Sequence, residues 1–181
     1  MPRENIKKVI ARLGATEYLT VCVVALERQA TRLRAAKPPD ATGMDSFHEL
    51  APDVWFAVVA LYRSFRALDL AAKTSALHGS EIQAISGELP DREATKRVRD
   101  VYEHFDDYFQ FKGKLQKVEV ERPDMHLPQV SMLSGPGGVS GVEVTIGNRP
   151  VDVFATIQVM IPALRNALTL LESENVTPPS S

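Results

Sequence analysis

Apolar residues recur at intervals of three and four along most of the chain, the spacing of helices that hide one face. Ile6, Val9, Ile10 and Leu13 predict a first helix that Gly14 stops. A second runs from about Thr16 to Ala36, and its basic end (Arg28, Arg32, Arg34) suits the negative pole of a helix dipole. Lys37-Pro38-Pro39-Asp40-Ala41-Thr42-Gly43 reads as a linker, since consecutive prolines forbid helix. A long third helix has Pro52 near its start, runs apolar from Val54 to about Leu77, and breaks at His78-Gly79-Ser80. Pro90-Asp91-Arg92-Glu93 opens another that reaches Phe111, with Asp91 as N-cap or first-turn acid.

The period then shortens. Val118 and Val120 alternate with Glu119 and Glu121, and 127–133 and 139–146 read as two further strands around a glycine-rich turn. Gly147-Asn148-Arg149-Pro150 leads into a last helix over 151–172, with a bend at Pro162. The fold expected is mainly α: a bundle of about four main helices with a small antiparallel β-hairpin or meander inserted before the last helix. One domain spans 1–174, its β insert covers about 117–147, and 175–181 is a disordered tail.

Composition narrows the function classes. The chain has 181 residues, 44% hydrophobic and 24% charged, which fits one globular domain and excludes a collagen-like repeat or a disulfide scaffold. Lys plus Arg is 21 against 23 Asp plus Glu, a net charge of −2 that argues against a DNA-packing or membrane-surface protein. Residues 1–37 carry eight Lys/Arg against three Glu, read as solvated helix faces. The N-terminus is too charged for a secretory signal, and the longest mostly apolar runs, 19–26 and 54–62, are about half a bilayer span. The lone Cys22 sits among valines and reads as an inert buried thiol, consistent with a cytoplasmic protein.

Most catalytic signatures are missing. Ser134–Gly141 lacks the lysine of a phosphate loop, and His48, His78, His104 and His126 lack zinc-ligand spacing, so no cofactor and no metal are expected. Trp55, Phe56, Tyr62 and Phe65 read as core, with a small-ligand pocket as the alternative. The segment from Lys96 to Tyr108 is different. Its core stripe is Val98, Val101, Tyr102, Phe105 and Phe109, and Asp100 stands one turn before His104 on its flank. Arg99 has Glu103 at the i+4 position. An arginine, an orienting acid and a histidine supply what metal-free phosphodiester cleavage needs: a cation for the phosphorane and an imidazole to move protons. An ordinary solvated charged face is the competing reading.

Arg99-Asp100-Val101-Tyr102-Glu103-His104, with Phe105-Asp106-Asp107-Tyr108 after it, resembles the motif of the HEPN superfamily (higher eukaryote and prokaryote nucleotide-binding domains). The resemblance implies an all-helical bundle and a metal-independent endoribonuclease of toxin or phage-defence type. It also implies RNA as substrate, a homodimer with a composite site, and an antitoxin protein as partner, with no membrane involved. Arg99 would then stabilise the phosphate, His104 act as general acid and base, and Asp100 orient them. A non-catalytic binding or scaffold bundle and a small-ligand-binding bundle are the other functions the sequence allows.

Overall fold

A computed structural model describes residues 3–36, 44–103, 129–135, 138–146 and 149–176. The elements run α1 (Arg3–Ala35), α2 (Met44–Thr74), α3 (Gly79–Glu88), α4 (Arg92–Glu103), β1 (Gln129–Gly135), β2 (Gly138–Ile146), β3 (Arg149–Asp152) and α5 (Val153–Val176). The fold is mainly helical, with a small three-stranded antiparallel sheet before the last helix. The expected linker at 37–43, the strand at 118–121 and the tail beyond 176 lie outside the described residues.

Three helices make the core. Leu19, Leu26 and Leu33 of α1, Val54, Leu61 and Leu68 of α2, and Ile157, Leu164 and Leu171 of α5 are all buried. Within each helix these residues are seven apart, the repeat that lets long helices pack side by side. Arg32 reaches Asp53 at 3.1 Å, so α1 and α2 run antiparallel. Arg165 of α5 pairs with Glu27, and Arg12 with Glu174, so α5 is antiparallel to α1 as well. Both α1 (from Ile6) and α5 are long and apolar enough to cross a bilayer by length and composition, although neither contains an unbroken apolar run of that length.

Several boundaries differ from the expectation. Gly14 does not stop a helix: α1 is continuous from Arg3 to Ala35. A helical glycine costs only about 1 kcal/mol relative to alanine, less than the burial of Ala15 and Leu19 beyond it returns. Pro52 lies well inside α2, which starts at Met44. Pro162 likewise lies within α5, which extends to Val176. The stretch at 149–152 is a third strand instead of a lead-in, paired with β2 as Val144 to Val151 and Ile146 to Arg149. Pro150 fits because β3 is an edge strand, where a missing N–H breaks no ladder.

The sheet joins the helices through its valine face. Val139, Val142 and Val144 are buried, and β2 lies against α1 and α5. The β1–β2 register slips by one residue between Leu133 and Ser134. The extra residue on β2, Ser140, returns Val139 to the buried face and donates to the Leu133 carbonyl at 3.1 Å. Asp152 ends β3 and caps α5 by accepting the Ala155 amide at 2.9 Å. Thr156, fully buried, donates to the Asp152 carbonyl at 2.6 Å and lies 3.3 Å from the Asp91 carboxylate. That contact ties α5 to the turn before α4, where Asp91 has a left-handed backbone (φ 60°).

Candidate functional site

The core residues of α2 occupy one side of the helix, so a residue about 100° further round per step falls predictably in or out. Trp55, Phe56, Arg63, Arg66, Leu70 and Lys73 come out on the open side, and all are exposed. Tyr62 stands at its edge, half-buried. Phe65 is buried as expected, but Trp55 and Phe56 are not core: they are 37% and 49% exposed and stack with ring centroids 5.4 Å apart.

Two contiguous clefts follow this open side. One, about 410 Å³, is lined by Tyr62, Phe65, Arg66, Asp69, Leu70, Lys73, Arg92, Glu93 and Lys96. The other, about 360 Å³, lies between α1 and α2 and is lined by Tyr18, Val59, Tyr62, Arg63, Arg66, Leu70 and Glu103. Tyr62, Arg66 and Leu70 belong to both.

The charges along these clefts are unevenly committed. Arg92 pairs with Asp69, donates to Ser86 Oγ at 3.2 Å and lies over the Phe65 ring at 5.4 Å. It therefore fastens α4 to α2 and α3. Arg99 pairs with Glu103 and, at 2.9 Å, with Asp100. Its guanidinium stacks on Tyr62 at 4.1 Å, a cation–π contact made strong by partial desolvation. Burial alone would lower the Arg99 pKa, but the Glu103 hydrogen bond and the Asp100 charge outweigh it and raise it. With Asp69 and Glu103 taken, Glu93 is the lining acid left to face Arg63, Arg66, Lys73 and Lys96. Among the described residues, none of those four cations has an ion-pair partner.

The motif residues are thus partly placed. Arg99 and Asp100 are together, Arg99 is held by Glu103 as the i+4 spacing suggests, and Val98 and Val101 are buried in the core. Asp100 meets Arg99, and no bond from Lys96 to Asp100 is present among the described residues. His104, Phe105 and Phe109 lie outside the described residues, as does the side chain of Tyr102. The cations of α2 are functional candidates that motif patterns do not single out. Their signal lies in the spacing alone: Arg63, Arg66 and Lys73 fall on one face at helical intervals. No protein-family model, no curated protein and no solved structure matches the chain.

Proposed function

We propose that the chain is an RNA-binding helical bundle of the HEPN type, acting in the cytoplasm, and that RNA lies along the open side of α2. The observation that carries this reading is the set of unpaired cations around the clefts: Arg63, Arg66, Lys73 and Lys96. Phosphates bind such a row through charge and the counterions it releases. The exposed Trp55–Phe56 stack continues the same face, and aromatic surfaces beside cations are what unpaired bases stack on. Single-stranded nucleic acid is the ligand class that uses both, and the motif's resemblance is what favours RNA over DNA.

Cleavage stands behind binding for a geometric reason. Arg99 is engaged by two carboxylates and a ring, so its guanidinium reaches a phosphate only by leaving them. If Arg99, Asp100 and His104 do cut RNA, the reaction needs no metal and leaves cyclic phosphate ends.

The test is titration of a labelled single-stranded RNA at several salt concentrations. Arg66→Ala, Lys73→Ala and Lys96→Ala combined should weaken binding more than tenfold. The log–log salt slope should flatten by about 0.7 for each phosphate left without its cation. Equal affinity and slope in wild type and the triple variant would remove the proposal. Incubation in EDTA with wild type and His104→Ala, with analysis of product ends, decides separately whether the bundle also cleaves.

A further inference from the structure

We propose that Ser173, His78 and Glu81 form a nucleophilic site beside the α2–α3 turn, where Ser173 takes an acyl group from an activated ester or thioester. Ser173 Oγ lies 3.3 Å from His78 Nε2, and His78 Nδ1 lies 3.2 Å from the Glu81 carboxylate. In that order of contacts an acid orients an imidazole, and the imidazole takes the proton of a serine hydroxyl. The Glu81 carboxylate can only accept, so the ring proton sits on Nδ1 and the Nε2 lone pair faces Ser173. At rest the hydroxyl donates back to the Leu170 carbonyl at 2.7 Å. Rotation about its Cβ–Oγ bond turns the hydrogen onto Nε2.

The serine and the histidine are 95 positions apart, yet their backbones are fastened to one another. The residue after Ser173 is Glu174, whose carboxylate accepts the amides of Ala76, Leu77 and, at 3.4 Å, His78. The His78 amide also donates to Ser75 Oγ at 2.7 Å, and its carbonyl accepts the Ile82 amide at 2.9 Å. Hydroxyl and imidazole are thereby held in register, the preorganisation that proton transfer needs. The His78 side chain is 28% exposed, covered enough to keep one orientation and open enough to meet a reactant.

Attack by Ser173 Oγ forms the bond to the acyl carbon as its proton passes to Nε2. The tetrahedral intermediate collapses by breaking the bond to the leaving oxygen or sulfur, which takes that proton from His78. Water, giving a proton to the same Nε2, then attacks the acyl-serine; the acid is released and the hydroxyl restored. His78 is the N-cap of α3 and makes no side-chain cap, so the first-turn amides that lack an intrahelical acceptor are the donors for the oxyanion. Neither cleft is lined by these three residues, so little binding energy is on offer and the acyl group must carry a good leaving group. This inference does not depend on RNA binding.

The test is p-nitrophenyl acetate with the full chain, following p-nitrophenolate release and locating the acetyl group by peptide mass spectrometry. Wild type should acetylate Ser173 and release p-nitrophenolate at least tenfold faster than Ser173→Ala or His78→Asn. Glu81→Gln should slow acylation severalfold and Glu81→Asp should recover part of the loss, with the melting curve of Ser173→Ala and of both Glu81 variants unchanged. Equal rates in wild type and Ser173→Ala, or an acetyl group found only on lysines or on His78, overturn the proposal. The three residues would then be a tie between α5 and the turn.

Discussion

Arg12 and Glu174 meet at 2.7 Å although 162 positions separate them. The pair locks the first helix to the last, and the Glu174 side chain is only 1% exposed. Its carboxylate also accepts Ser75 Oγ and the amides of Ala76 (3.0 Å) and Leu77 (3.1 Å). One acid from α5 therefore organises the whole turn between α2 and α3.

That geometry predicts a pH dependence. Burial alone would raise the Glu174 pKa, but the bonds from Ser75, Ala76, Arg12 and Leu77 overcome it and bring it from 4.5 down to about 2. A folded value below the unfolded one means stability present above the unfolded value and lost as pH falls through the folded one. The difference corresponds to about 3 kcal/mol, complete above roughly pH 5 and lost progressively towards pH 2. Urea denaturation across this range should show the loss in wild type and a much flatter profile in Glu174→Gln. The variant should also be less stable at pH 7 by about 2–4 kcal/mol, because Arg12 is left partly buried without its acid.

Two glycines should respond oppositely to alanine. A Cβ on Gly79 would stand 2.6 Å from the Ala72 carbonyl oxygen, which is backbone and cannot move aside. Gly79→Ala should lower stability by about 1–3 kcal/mol. Gly14 is helical with open space around it, so Gly14→Ala should stabilise the fold by about 0.5–1 kcal/mol. Thermal melts of both variants check the pair of signs.

Arg99 is expected to act mainly on the fold. Arg99→Ala should cost about 1–3 kcal/mol, because it removes the stack on Tyr62 and the bonds to Asp100 and Glu103. Arg99→Lys should recover only part, since an ammonium cannot reproduce the planar stack. RNA affinity of the folded lysine variant should stay within twofold of wild type. A loss as large as that of the Arg66, Lys73, Lys96 variant would put the Arg99 guanidinium on the phosphate instead.

Cys22 offers a probe of opening. It is 3% exposed, and burial pushes its thiol up from the usual range against a hydrogen bond with Ser64. Iodoacetamide should leave it unmodified in the native protein and alkylate it fully in denaturant, as read by mass spectrometry. Rapid native labelling would mean that α1 and α2 separate easily.

The helical architecture and the β1–β2 hairpin were legible because period carries them: Val54–Leu68 repeats as a buried helix must, and Val142 and Val144 alternate as a half-covered strand must, whereas the four-residue β3 is too short to show a period. What the pattern could not say was which copy of an apolar stripe meets the core. Ile6, Ile10 and Leu13 have the same spacing as Leu19 and Leu26, yet they stand on the opposite side of the same uninterrupted helix. Trp55 and Phe56 misled for a related reason: aromatic character suggests burial, while their angular position on α2 puts them outside. Of the motif, the Arg99–Glu103 pairing followed from local spacing. The stack on Tyr62 did not, since it depends on how α4 crosses α2.

The uninterrupted course of α1 past Gly14 makes it a lever. Near its N-terminal end Arg12 holds it to Glu174, and residues 6–11 before that pair are exposed. Whatever grips Ile6 pulls on an arm of about 9 Å whose fulcrum is the very acid that organises the α2–α3 turn. A load at the tip therefore bears on the Glu174 bonds to Ser75, Ala76 and Leu77, at the C-terminal end of the helix that carries the cleft-lining cations.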